Sequence, residues 1–323
     1  MSADSTSEEF ITFLRLIQTN LFRYGGSILI GLGSLSCILS VIVFTRKTLR
    51  KNPCSTYFIA LYVVNFLYIH MSLLPLTLEI GYNIDVNSYN LFYCRFSLYV
   101  AVVLNTLNAY YIILASIDRI LVTSPKALTR KKSSHFFAYK LIIGGTLFWM
   151  LFLSHILVFT ALIPVGPNTF LCYFQSGWYL MFISYYSLVK ETVAPFLMII
   201  FGVWSVKNIR RVHRVKAATV LTVNENTEGG GSYSNFSRDR QLVFLLVKDV
   251  IIYILFTFIM AVSLIYDQMT QYLIKNAEEI QKGIFLRYVA IFSVNIPFCI
   301  GCYTNLLISK TFRREVKNIF SWQ

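Results

Sequence analysis

Seven long apolar runs, separated by polar stretches, dominate this chain. They fall at approximately Tyr24–Thr45, Cys54–Ile80, Phe92–Thr123, Phe136–Ile163, Trp178–Val206, Leu242–Tyr266 and Phe285–Ser309. Each reaches the length of about 20 residues that a helix needs to cross roughly 30 Å of hydrocarbon. A peptide group in lipid has no water to bond, so a spanning segment must satisfy its own backbone, and a helix does this within one segment. The pattern predicts an all-α membrane protein: a seven-helix transmembrane bundle over residues 24–309, preceded by a polar segment, 1–23. The third run is long enough to tilt or to project beyond the bilayer. One connection is also long. Residues 207–240 are polar, contain Glu228-Gly229-Gly230-Gly231-Ser232, and read as a flexible loop. In the last segment, 310–323, Phe312, Val316, Ile319 and Phe320 fall on one helical face and Arg313, Arg314 and Lys317 elsewhere. That spacing predicts a short amphipathic helix on the membrane surface.

Composition agrees: 56% of residues are apolar and only 14% charged, against about 25% charged in globular proteins. The net charge of +14 would suit nucleic acid, but its distribution excludes that partner. With the N-terminus outside, 21 of the 29 Lys and Arg residues fall in the inner loops and tail, and six fall outside. Such a bias is a topology signal and a source of attraction to anionic membrane lipid. Asp4, Glu8, Glu9 and Arg15 interrupt the first 23 residues, which do not read as a cleaved leader. Six cysteines are too few for a disulfide scaffold, and no CxxC pair occurs. Four histidines are scattered without ligand spacing, and no nucleophile–base arrangement stands out, so neither enzyme activity, metal nor cofactor is expected.

The most informative short string is Asp118-Arg119-Ile120, at the inner end of the third run. Cys94 lies 25 residues before Arg119, at the outer end of the same helix. Cys172 lies in the outer connection between the fourth and fifth runs, where an oxidising exterior lets the two cysteines pair. The other cysteines (Cys37, Cys54, Cys299 and Cys302) fall in the spans or on the inner side and are expected to stay reduced. Seven helices, the Cys94–Cys172 pair, Asp118-Arg119, Trp149 in the fourth helix and Pro195 in the fifth together resemble the rhodopsin-like G-protein-coupled receptors, over residues 24 to 320. The string Leu49-Arg50-Lys51-Asn52-Pro53-Cys54-Ser55-Thr56-Tyr57 also resembles a group of orphan, neuropeptide-type invertebrate receptors.

The resemblance implies a plasma-membrane receptor that binds an extracellular ligand and activates a heterotrimeric G protein. It implies that Arg119 is a switch, pairing at rest with Asp118 and with an acid at the foot of the sixth helix, for which Asp239 is placed. Several positions depart from the family pattern. Cys37 replaces an Asn of helix one, and Asn65 replaces the Asp of helix two. Asn108 of helix three can face Asn65, but two amides supply no carboxylate, so the family's sodium site is not expected. Ile259, in Phe256-Thr257-Phe258-Ile259-Met260, stands where helix six usually has its proline. Asn295-Ile296-Pro297, with Tyr303 later, is a scrambled form of the helix-seven motif.

Candidates for the ligand pocket are the ionisable and polar groups placed within or near the outer half of the spans, because charge inside a membrane is costly and defaults to function. These are Glu79, Asn105, Thr106, Tyr186, Lys190, Glu191, Asp267, Arg287 and Tyr288. Lys190 and Glu191 are adjacent and leave the helix about 100° apart, so at most one is expected to face a pocket squarely. Lys248 and Asp249 are given no role. Ala101 stands where receptors for biogenic amines carry an Asp, which argues against an amine. Eight acids against six bases on the outer side favour a basic or amidated peptide. The alternatives are a divergent chemosensory receptor for a small molecule, a transporter, and a receptor that no longer couples.

Overall fold

The computed structural model describes residues 2–84, 90–124, 127–166, 169–175, 177–222, 230–270, 273 and 276–321. The side chains of residues 2–7, 127, 164–166, 169–171, 209–222, 230–240 and 320 lie outside that description. Among the described residues, seven helices are long and apolar enough to cross a membrane: Glu8–Thr45, Cys54–Tyr82, Leu91–Val122, His135–Leu157, Trp178–Asn208, Gln241–Thr270 and Ala277–Ile308. In chain order these are the first to seventh spans. The protein is an all-α, multi-pass membrane bundle with an added C-terminal helix, Lys310–Phe320.

The lipid-facing surface follows from helical spacing. Ile28, Leu32, Leu35, Ile38 and Ile42 recur every three or four residues on the first span and are exposed. Opposite them, small residues let helices approach closely, as is usual where lipid supplies no hydrophobic drive for association. A methyl group added to Gly33 would meet Cys299 and Ile69 at 2.8 Å, and one added to Gly301 would meet the Tyr62 ring at 2.6 Å. The cysteines Cys37, Cys54, Cys299 and Cys302 are all buried.

Several boundaries differ from the apolar pattern, among them the start of the seventh helix, at Ala277 and not near Phe285. The first helix begins at Ser2, not near Tyr24, and runs through a wide turn at Leu21–Gly26 to Thr45. Residues 2–20 hold neither Gly nor Pro, so polar residues alone do not stop the helix, and Arg15 reaches Gln281 of the seventh span at 3.4 Å. The fourth span ends early, in a tight turn at Leu153–Leu157. The chain then forms an antiparallel hairpin, β1 (Thr160–Gly166) and β2 (Thr169–Phe174), in which Leu162 pairs with Cys172. Finally, helix continues into much of the segment 207–240 that reads as loop. The fifth helix runs to Thr222 and the sixth begins at Gly230. Residues 207–222 contain no Gly or Pro and carry several good helix formers.

The C-terminal helix docks by its apolar face. Phe312 is buried against Phe44, with ring centroids 5.7 Å apart, and Val316 and Ile319 pack on the core, while Arg314 and Lys317 are exposed. Ser309 caps its start by accepting from the Phe312 amide. Arg313 turns back to donate to the Leu306 and Leu307 carbonyls, which end the seventh span.

Candidate functional site

The third span is the axis on which the candidate residues are arranged. At one end Cys94 and Cys172 are joined by a disulfide, which fixes β2 to the span. The neighbouring Arg95 donates to the Thr160 carbonyl at 3.0 Å and fixes β1 as well. The hairpin reaches across this end of the bundle, where the Arg287 guanidinium lies 5.8 Å from the centre of the Tyr173 ring. Arg287 also faces Asp267 of the sixth span at 3.6 Å, and both side chains remain partly exposed. Glu79 lies within electrostatic reach of Tyr288, whose ring packs edge-on against Phe22. Four of the proposed pocket residues thus stand around one mouth, under the hairpin.

The opposite end of the third span closes with a buried charge pair. Arg119 is fully buried and Asp118 nearly so, and they meet at 2.6 Å. Both are held from outside the span. Arg119 donates to Asn52 Oδ1 at 2.6 Å, and the same oxygen accepts from the Cys54 amide that opens the second span. Asp118 accepts from the Ser133 hydroxyl at 2.5 Å, just before the fourth span. One pair therefore ties the second, third and fourth spans together. Desolvated ions of this kind need such added bonds to persist. The Asp239 side chain lies outside the described residues. Asn52 and Ser133 are partners that spacing does not reveal, although Asn52 sits inside the quoted string around Pro53.

Midway along the bundle lies a second polar cluster. Lys190 and Glu191 do not diverge. Their long side chains turn toward each other and meet at 2.6 Å, and Lys190 also donates to Asn105 of the third span. Pairing is what makes two charges tolerable at this depth. Tyr68 stands beside Asn105, Thr106 and Tyr186 approach each other at 3.4 Å, and Tyr253 of the sixth span lies in the field of Glu191. The cluster thus joins four spans: second, third, fifth and sixth. Trp149, half-buried, packs edge-on against Tyr110. Pro195 lies inside the fifth helix and Pro297 inside the seventh.

A third cluster is built on two residues to which the sequence assigns no role. Lys248 and Asp249 pair at 2.5 Å in the sixth span. The Lys248 ammonium also donates to Thr304 at 2.9 Å and to Asn305 at 2.7 Å, both on the seventh. Asn305 in turn donates to the Tyr62 hydroxyl of the second span. Close by, Asn108 donates to Asn65 at 2.6 Å. The string Lys248-Asp249 within an apolar run is the signal the sequence offers, but its partners lie more than fifty positions away.

These arrangements place charged and polar groups at the hairpin end, midway along the bundle and at the opposite end, each joining several spans. No protein-family model matches the chain, and a search of curated proteins returns no match for it.

Proposed function

We propose that this chain is a rhodopsin-like G-protein-coupled receptor of the plasma membrane, with its N-terminus and hairpin outside, that binds an extracellular peptide and activates a heterotrimeric G protein. One observation carries the reading. The third span is pinned by a disulfide at one end and closes at the other in a buried Asp118–Arg119 pair that holds three helices. That combination joins a fixed mouth to a releasable base, as expected of a two-state signalling element. The 21-to-6 division of basic residues supports the orientation.

In this reading the ligand enters under the hairpin, among Glu79, Asp267, Arg287 and Tyr288, and reaches down toward Asn105, Thr106, Tyr186, Lys190 and Glu191. The acidic groups at the mouth favour a basic or amidated peptide. Binding biases the packing of the sixth span, and Arg119 exchanges its bond to Asn52 for contact with the G protein.

The test is expression with a promiscuous G-protein reporter, screened against a neuropeptide library. An active peptide is expected, and Arg119→Ala is expected to abolish the signal while the protein still reaches the cell surface and binds. Full signalling by Arg119→Ala overturns the switch. Activation only by small volatiles replaces the peptide with a chemosensory ligand, and substrate flux in proteoliposomes replaces the receptor with a transporter.

A further inference from the structure

The lipid-facing stripe of the first span does not stop where the apolar run does. Ile28, Leu32, Leu35, Ile38 and Ile42 lie exposed along it, and the helix that carries them begins at Ser2. The same helical face continues backwards from Ile28 through Tyr24, Ile17, Phe13 and Phe10, all exposed, with Leu16 beside them. Phe13 and Leu16 are more than half exposed, at 56% and 58%. The opposite face is occupied by the bundle. Leu14 and Phe22 are buried there, Phe22 meets the Tyr288 and Phe292 rings of the seventh span edge-on, and Arg15 reaches Gln281. Asn20 and Ser27, on either side of the wide turn, keep right-handed helical backbone angles, so one helix carries the stripe throughout.

We propose that the face formed by Phe10, Phe13, Leu16 and Ile17 is a lipid-contact surface, on which the N-terminal helix rests in the boundary between headgroups and acyl chains. Large apolar side chains grouped on one exposed face mark an interaction site, and this group is continuous with a face that lipid already covers. Length fits the same partner. From Phe10 to Ile42 the stripe runs about 48 Å at about 1.5 Å per residue, against about 30 Å of hydrocarbon and about 40–45 Å with the headgroup layers included. A tilt of about 30°, within the range of about 0–40° found for spanning helices, shortens the stripe to about 42 Å along the bilayer normal and brings all of it within the membrane.

The charges near the patch suit that depth. The Lys282 ammonium lies 5.3 Å from the centre of the Phe10 ring and pairs with Glu278 at 2.6 Å, where both side chains stay exposed. Glu8 and Glu9 precede the patch and are exposed as well. Glu8, Glu9, Glu278 and Glu279 nearly balance Arg15, Arg23 and Lys282. Attraction to anionic lipid is therefore weak, apolar contact supplies the binding, and the partner is a zwitterionic phospholipid surface. The seventh span shares the placement: it begins at Ala277, and Ile280 and Ile284 near its start are exposed too. The N-terminal helix thus anchors the extended ends of the first and seventh spans in one leaflet. Neither sidedness nor signalling enters this placement.

The test is spin-label accessibility in the full chain, reconstituted into phosphatidylcholine vesicles. Labels are placed singly at Phe13→Cys, at Leu16→Cys, at Thr12→Cys on an exposed flank outside the stripe, and at Ile28→Cys as the lipid reference; the unsubstituted chain, whose cysteines are buried or joined in the disulfide, gives the background. Power saturation compares collision with oxygen, which concentrates in lipid, and with a nickel chelate, which stays in water. The oxygen-to-nickel ratio at Phe13→Cys and Leu16→Cys is expected to lie several-fold above that at Thr12→Cys and below that at Ile28→Cys. Either label suffices if the other variant does not fold. Ratios at both positions equal to that at Thr12→Cys place the face in water and overturn the proposal. Labels shielded from both reagents mean that protein covers the face, as in a contact with a second copy, and overturn it too. So does immersion that appears only when phosphatidylglycerol is added, because the binding then rests on charge.

Discussion

Replacing Lys248 by Met removes a buried ammonium and keeps most of the side-chain volume. Lys248 is 8% exposed and its partner Asp249 is 12% exposed, with 2.5 Å between their charged atoms. At an effective dielectric of about 20, the attraction at that distance is about 7 kcal/mol. Desolvating each ion costs several kcal/mol, so the net worth of the pair is small. Removing one partner is different, because the other ion keeps its desolvation cost and loses its compensation. Lys248→Met is therefore expected to destabilise the bundle by about 3–5 kcal/mol. It also strips the donor from Thr304 and Asn305. The double variant Lys248→Met/Asp249→Leu removes both ions, and is expected to cost only about 1–2 kcal/mol for the lost bonds to the seventh span. Reversible unfolding in mixed micelles, driven by SDS and followed by tryptophan fluorescence, measures these two variants and the single variant Asp249→Leu against the wild type. The cycle should show coupling of at least about 3 kcal/mol. Costs that simply add, or a single-variant cost under about 1 kcal/mol, refute the view of this pair as a buried, mutually dependent unit.

The same unfolding assay checks other elements. Gly81→Ala should destabilise by about 2 kcal/mol or more, because the new methyl meets the Arg23 backbone at 2.7 Å and backbone cannot move aside. Gly31→Ala meets nothing within 4 Å and should stabilise by about 0.5–1 kcal/mol through helix propensity. Cys94→Ser opens a link between residues 78 apart in sequence; the loop-entropy limit is about 4.5 kcal/mol, and protease cleavage within the hairpin should accelerate. Arg287→Ala should change stability by less than about 1 kcal/mol, since its pair with Asp267 is 3.6 Å long and partly exposed; a larger loss would mean that the hairpin depends on Arg287 rather than on Cys94 and Arg95.

The bundle was legible because lipid imposes a length rule, and apolar runs obey it wherever they occur. What escaped the pattern escaped for physical reasons. Val158 to Ile163 is apolar except for Thr160, and a short, mostly apolar run does not distinguish the end of a helix from a strand. The fourth span closes before this run, β1 pairs with β2, and Cys172 ties the hairpin to the third span. The N-terminal helix was hidden by Glu8, Glu9 and Arg15, which spoil a hydropathy run without opposing a helix. At the candidate site, residue type and depth marked Asp118, Arg119, Lys190 and Glu191. Of the partners across spans, the Asn65–Asn108 pair was legible, and most others were not. Nothing in the sequence joins Asn52 to Arg119, or Lys248 to Asn305, because helix rotation and crossing set those contacts.

The distribution of burial explains how such a bundle can be both stable and divided. The third span has 61% of its most apolar window buried, and the fourth only 11%. The fourth therefore lies against lipid on most of its surface, and the third cannot move without disturbing the core. Its ends are fixed by different means, a covalent bond at Cys94 and a buried ion pair at Asp118–Arg119. The sixth and seventh spans are joined by Lys248, and the first and seventh by the bond that the Cys302 amide donates to the Ser36 hydroxyl. Direct polar bonds thus form two groups: the second, third and fourth spans around Asp118–Arg119, and the first, sixth and seventh around Lys248 and Ser36. The polar crossings between them include Tyr62 to Asn305, Arg23 to the Gly81 carbonyl, Ser27 to Tyr82, and Glu191 near Tyr253. A change of a few kcal/mol at these crossings is of the size that shifts a two-state equilibrium almost completely. Substitutions that remove a crossing bond, such as Tyr62→Phe, which strips the acceptor from Asn305, are therefore expected to loosen the two groups from each other more than equal changes at apolar contacts within either group, and unfolding of the two variant classes side by side checks it.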